Sequence, residues 1–272
     1  MTHLAHEGHG GGIAALLQSA VIALLVAGYL VLARRVRREP RGWSRWRTAS
    51  VVAGGTLLMV AMLPPVATFA EGDFRGHMLQ HLLIGMLAPT ALVLGAPLTL
   101  LLRSLPPPHR RRVARVLHSR AVRAITNPWL ALVLNVGGMA ALYFTPLYRL
   151  VADGQLSHHL VHLHFVIAGC LFAWVVAGPD PAPRRPSVRM RLVVLGMAIT
   201  SHATLAQLMY AGLFIDVRVP VVELHGAAEI MYYGGDIAEL LLAMALLTTW
   251  RPMPRRARQP MTVTTTAAAT SS

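Results

Sequence analysis

Seven stretches of this sequence are each apolar over roughly the length a helix needs to cross a bilayer, and that feature limits the fold more than any other. A hydrocarbon core about 30 Å thick takes about 20 helical residues at about 1.5 Å each. The runs are Ile13–Ala33, Thr48–Ala70, His77–Leu102, Pro128–Thr145, His158–Gly178, Leu192–Ile215 and Leu224–Trp250. They predict an all-α, polytopic membrane protein built as a seven-transmembrane-helix bundle. The arginines of the first run follow its apolar part and no small-residue cleavage site precedes them, so it reads as a retained helix and not a signal peptide.

Charge fits this reading. Only 13% of residues are charged, about half the usual share, while 55% are hydrophobic. The formal charge of +14 invites a nucleic-acid partner, but the basic residues lie between apolar runs, so the partner is the lipid bilayer and no nucleic acid is expected. All 25 basic residues are arginine. Twenty-two of them fall on alternate connections: residues 34–47, 103–123, 184–191 and 251–258. That asymmetry places the N-terminus outside and the C-terminus in the cytoplasm of a bacterial plasma membrane. The predicted organisation is a His/Gly-rich extracytoplasmic arm at 1–12, the transmembrane domain at 13–250 and a disordered cytoplasmic tail at 251–272. The loop 104–127 is expected to carry a basic amphipathic helix against anionic headgroups. A lone cysteine, Cys170, supplies neither a disulfide nor a CxxC metal site.

With that topology, ten of the thirteen histidines lie at the outer surface, although their segments are far apart in sequence. His77 and His81 open the third span, and His158 and His162 open the fifth. Residues four apart share one helix face about 6 Å apart along the axis, so each pair can aim both rings at one site, as in helical zinc motifs. A single histidine at a helix end is more often a hydrated interface residue; the duplicated spacing is what brings a metal or haem site level with that reading. Imidazole suits copper, zinc and iron alike. Met62, Met78, Met209 and Met231 lie at similar depth, and thioether sulfur favours copper(I), though methionine is also ordinary core filler. His159 falls off the His158/His162 face, and His164 points toward another helix contact.

Carboxylates inside a bilayer are costly and mark function or a buried pair. Glu229, Asp236 and Glu239 occur in the seventh span, and depth counting puts Asp236 level with His202 of the sixth. A His202–Asp236 pair is therefore expected, as a polar relay or a clamp between helices. Gly234 and Gly235 allow close approach beside it. Pro89, Gly95 and Pro97 predict a kink or break in the third span.

The stretch His77-Met-Leu-Gln-His81-Leu-Leu, followed by Ala88-Pro89 and Leu94-Gly95-Ala96-Pro97, resembles the CtaG family of cytochrome c oxidase assembly factors, in its high-G+C Gram-positive branch. Pro146-Leu-Tyr148, His158-x-Leu-Val-His162-Leu-His164-Phe165 and Gly169-x-Leu-Phe-x-Trp174 extend the similarity, and Gly235-Asp236 matches a glycine–carboxylate step. Relatives tend to open the last span with an Asp-Gln pair and to carry a tryptophan farther on, where this chain has Glu223-Leu-His225 and Tyr232-Tyr233. The resemblance implies a non-enzymatic factor in oxidase maturation whose partners are cytochrome c oxidase subunits. It also implies copper handling at the outer face, for which His77, His81, His158, His162 and Met78 are the candidates. Two other classes share these features: a membrane-embedded zinc-dependent hydrolase, using three histidines and an aspartate-activated water, and a haem-binding redox protein with axial histidines.

Overall fold

A computed structural model describes residues 7–148, 155–183 and 185–249. Every regular element among them is helical, with no strand. In chain order these are α1 (Glu7–Arg37), α2 (Arg45–Met62), α3 (Val66–Gly72), α4 (Phe74–Leu82), α5 (Ala88–Leu94), α6 (Pro97–Ser104), α7 (Pro107–Leu117), α8 (Arg120–Ile125), α9 (Pro128–Leu132), α10 (Gly138–Phe144), α11 (Gln155–Ala177), α12 (Val188–Tyr210) and α13 (Val221–Thr249). Two five-residue π turns, Leu83–Leu87 and Val133–Gly137, join α4 to α5 and α9 to α10.

Apolar side chains cover the outside as well as the inside. On α1, Leu16, Leu17, Leu24 and Leu25 are 63–72% exposed, and Leu240, Met244 and Leu247 of α13 are similarly bare. A helix apolar all round belongs in lipid, where exposing leucine costs nothing, and this identifies a multi-pass membrane protein. Five helical segments are long and apolar enough to cross; counting α2 with α3, which bend by 45° where they meet, makes six. The expected span at Pro128–Thr145 is the shorter apolar segment Pro128–Phe144, below that length. Helix α1 begins at Glu7, so residues 7–12 of the expected arm are helical. Residues 1–6 of that arm and the tail 251–272 lie outside the described residues.

Four apolar clusters fill the interior among the described residues, and the two largest lie toward opposite ends. Toward the arginine-rich end, Leu132, Phe172, Val176, Val194, Leu195, Leu242 and Leu246 pack together. Toward the histidine-rich end, Phe74, Met78, Met139, Tyr143, Phe165, Met209 and Met231 do so.

The expected break in the third span occurs in two steps. Pro89 has no N–H to give the preceding turn, and the helix widens into the π turn just before it. A β-carbon built on Gly169 of α11 falls 2.1 Å from the Gly85 carbonyl oxygen, so only glycine lets α11 lie against this turn. The chain then breaks at Gly95–Ala96, where Ala96 takes the left-handed conformation (φ 53°), and restarts as α6.

Asp180, in the Pro-Asp-Pro connection after α11, caps that restart. Its carboxylate accepts from the amides of Leu98 (2.9 Å) and Thr99 (2.8 Å) and from the Thr99 hydroxyl (2.6 Å). Burial raises the Asp180 carboxyl above the ordinary aspartate range, although the hydrogen bonds pull it the other way.

Candidate functional site

The start of α4 is held by carboxylates from two elements. Asp73 accepts from the Arg75 amide (2.8 Å) as N-cap and pairs with the Arg75 guanidinium (2.5 Å), which keeps its carboxyl below the ordinary range. Glu223, at the start of α13, accepts from the Phe74 amide (3.1 Å). These contacts orient the first turn of α4 and, with it, His77.

His77 shares a 3.1 Å hydrogen bond between its Nε2 and the Tyr143 hydroxyl of α10. Its ring stacks on Phe74 and meets Tyr148 edge-on at 5.5 Å. One turn on, the His81 ring lies edge-on to Phe165 of α11 at 4.3 Å, with its Nδ1 buried and unpartnered. On α11, the rings of His158 and His162 are 4.2 Å apart, and His162 Nδ1 is also buried without a partner. Phe165, the ring that His81 meets, follows His162 by three residues on α11, so the two pairs share one end of the bundle. Among the described residues, however, no three His, Cys, Asp or Glu side chains are arranged to hold a metal ion. Met78 is fully buried in the apolar cluster beside Met139 and Met209.

The other histidines of α11 have protein partners. Gln18 of α1 donates to His159 Nδ1 (2.9 Å), and His164 Nε2 donates to the Leu134 carbonyl (3.2 Å). Leu134 lies in the second π turn, and His164 sits so close to Gly138 that a β-carbon there would fall 2.4 Å from its ring.

The intramembrane pair differs from the expected one. His202 Nδ1 donates to Glu239 Oε1 at 2.5 Å, both side chains being buried, and Asp236 is exposed on the outer surface of α13. Three residues along a helix turn a side chain by about 300°, so equal depth did not mean an equal face. Glu239 lies on the stripe Ala228, Met231, Ala238, Leu242 and Leu246 that faces the interior, and this run of small and apolar residues was the sequence signal that would have chosen it. The second carboxylate oxygen, Oε2, is buried without a partner. Glu239 also lines a cavity of about 20 Å³ with Thr90, Asn135, Gly169 and residues of the first π turn, room for about one water. Gln80, on the same helix as His77 and His81, donates to the Ala61 carbonyl of α2 (2.7 Å).

Asp180, Tyr143, Asn135 and Glu239 were not singled out as partners from sequence. Hydroxyl, amide and carboxylate side chains at single positions carry no spacing pattern; their roles exist only where helices meet.

A sequence model of the cytochrome c oxidase caa3 assembly factor family (Caa3_CtaG) matches residues 27–252. An uncharacterized protein of Mycobacterium bovis and one of Mycobacterium tuberculosis are each 29% identical to this chain over 259 residues, and one of Mycobacterium leprae is 27% identical. The alignments cover 88% of this chain and 39% of each relative, so the chain spans about two-fifths of the length of the curated relatives it matches. No solved structure matches it.

Proposed function

The chain belongs to the cytochrome c oxidase caa3 assembly factor family, and on that premise we propose that it assists maturation of a cytochrome c oxidase in the bacterial plasma membrane, receiving copper as cargo at the histidine end. In this reading the chain crosses seven times, with Pro128–Phe144 as its shortest span. The histidine end faces outward and the arginine-rich connections face the cytoplasm, in keeping with the arginine asymmetry.

The observation that carries the copper reading is the pair of buried, unpartnered ring nitrogens on His81 and His162, contributed by two different helices. A buried polar atom without a partner is costly, and a metal ion is one way to satisfy it. Imidazole is a suitable ligand for copper. His77 and His158 stand one turn closer to the surface and would receive the ion first. Binding is transient in this account, because cargo must leave. Met78 supports the site by packing and is the weaker ligand candidate.

Anaerobic copper(I) titration of the purified full chain tests the site. The expected result is binding that is lost when His81 and His162 are both replaced by leucine, with helical content unchanged. A wild-type chain that takes up no copper ends the copper reading. Cells deleted for the gene that keep full oxidase activity and copper content end the assembly reading, whatever the titration shows.

A further inference from the structure

The outward face of α13 carries groups that lipid does not satisfy. Glu229, Tyr233 and Asp236 follow one another at intervals of four and three, and all three are exposed. Neither carboxylate has a hydrogen-bond or ion-pair partner among the described residues. Asp236 lies near the midpoint of the span Val221–Thr248, far from either headgroup layer. Beside this face, between α13 and α12, runs a groove of about 490 Å³. Ala206 and Ala228 form its floor, and Gln207, Tyr210, Glu229 and Tyr233 form its rim. Small residues at the floor let another backbone come close, and the polar rim offers hydrogen bonds to what lies there.

We propose that this face is a docking surface for one transmembrane helix of a different protein, bearing an arginine or lysine between the depths of Glu229 and Asp236, which lie two helical turns apart. The charge is argued from complementarity: a carboxylate exposed at mid-bilayer is stable when a cation meets it. A second copy of this chain does not supply that cation. Between those depths its basic groups are His202, which is buried and already paired with Glu239, and His81 and His162, which are buried inside the bundle. Arg191 is buried near the arginine-rich end and donates to the Val176 carbonyl (3.0 Å). The partner is therefore foreign, and its arginine or lysine sits where a membrane protein would not hold one unless an acid waited for it. This surface lies on the lipid-facing side of the bundle and is separate from the histidine site, so it stands or falls independently of copper.

The test uses the full chain in phosphatidylcholine vesicles with a synthetic transmembrane peptide of about 20 Leu and Ala residues. Its central residue is arginine, glutamine or leucine, and association is read by fluorescence transfer. The arginine peptide is expected to bind at least tenfold more tightly than the other two. The double variant E229Q/D236N is expected to lose that preference, and Leu240→Ala, exposed on the same helix, to keep it. Because the two carboxylates are exposed and have no hydrogen-bond or ion-pair partner among the described residues, the double variant is expected to unfold at the wild-type temperature; should it not fold, the single variants E229Q and D236N are read instead, each with a reduced preference. Equal binding of all three peptides, equal binding of the arginine and glutamine peptides, or a preference that survives E229Q/D236N overturns the proposal.

Discussion

The buried His202–Glu239 pair makes the sharpest statement at the scale of single residues. Removing one partner strands the other in a low-dielectric interior, whereas removing both leaves an apolar contact. Glu239→Leu is therefore expected to destabilise the solubilised protein by roughly 3–5 kcal/mol, while H202L/E239L recovers most of that loss. Thermal unfolding in detergent followed by circular dichroism measures both; a double variant as unstable as the single one would show that the pair is not the cause. Asp236→Asn is expected to leave the same midpoint unchanged, because Asp236 is exposed and has no hydrogen-bond or ion-pair partner among the described residues. Intramembrane acids were visible in the sequence, but their partners were not. Depth can be counted along a helix, whereas facing depends on how each helix is rotated about its axis. In lipid the usual apolar-in, polar-out stripe is absent, so little in the pattern reports that rotation. The residues Ala228, Met231, Ala238 and Leu242 held the one usable trace, since small side chains collect where helices touch.

At the scale of elements, Pro89 and Gly169 act as a matched pair on different helices. The proline opens a π turn, and the glycine lets α11 settle against the Gly85 carbonyl beside it. A methyl group at Gly169 would overlap backbone, which cannot rotate away as a side chain can. Gly169→Ala is expected to cost roughly 1–3 kcal/mol or more, by the same unfolding measurement. Gly28→Ala on α1, where a β-carbon meets nothing within 4 Å, is expected to be neutral or slightly stabilising. Equal midpoints for the two variants would refute the contact. The prolines predicted that α4, α5 and α6 would not form one straight rod. That the first break widens into a π turn, and that the α6 end is capped by Asp180 from 82 residues away, followed from contacts with α11 and the chain beyond it.

Across the whole molecule, the arginine asymmetry makes a topological prediction. In a C170S background, Phe214→Cys at the histidine end should react with a membrane-impermeant maleimide on intact cells, and Arg111→Cys should react only after the cells are opened. The reverse pattern would invert the orientation proposed above. Composition and run length alone determined that this chain is helical and built for a bilayer, because an apolar segment of about 20 residues has few other stable homes. The spacing of His77 with His81 and of His158 with His162 was equally readable, since the helix period places residues four apart on one face without help from the rest of the fold. Only the tertiary structure decided which partners they meet: Tyr143 for His77, Phe165 for His81, and unsatisfied nitrogens on His81 and His162. It also decided that Glu239 turns inward while Asp236 turns out. The reason is that a helix periodicity is a local property of the backbone, whereas the rotation and approach of one helix on another is settled by glycine contacts, π turns and buried hydrogen bonds distributed over segments far apart in sequence.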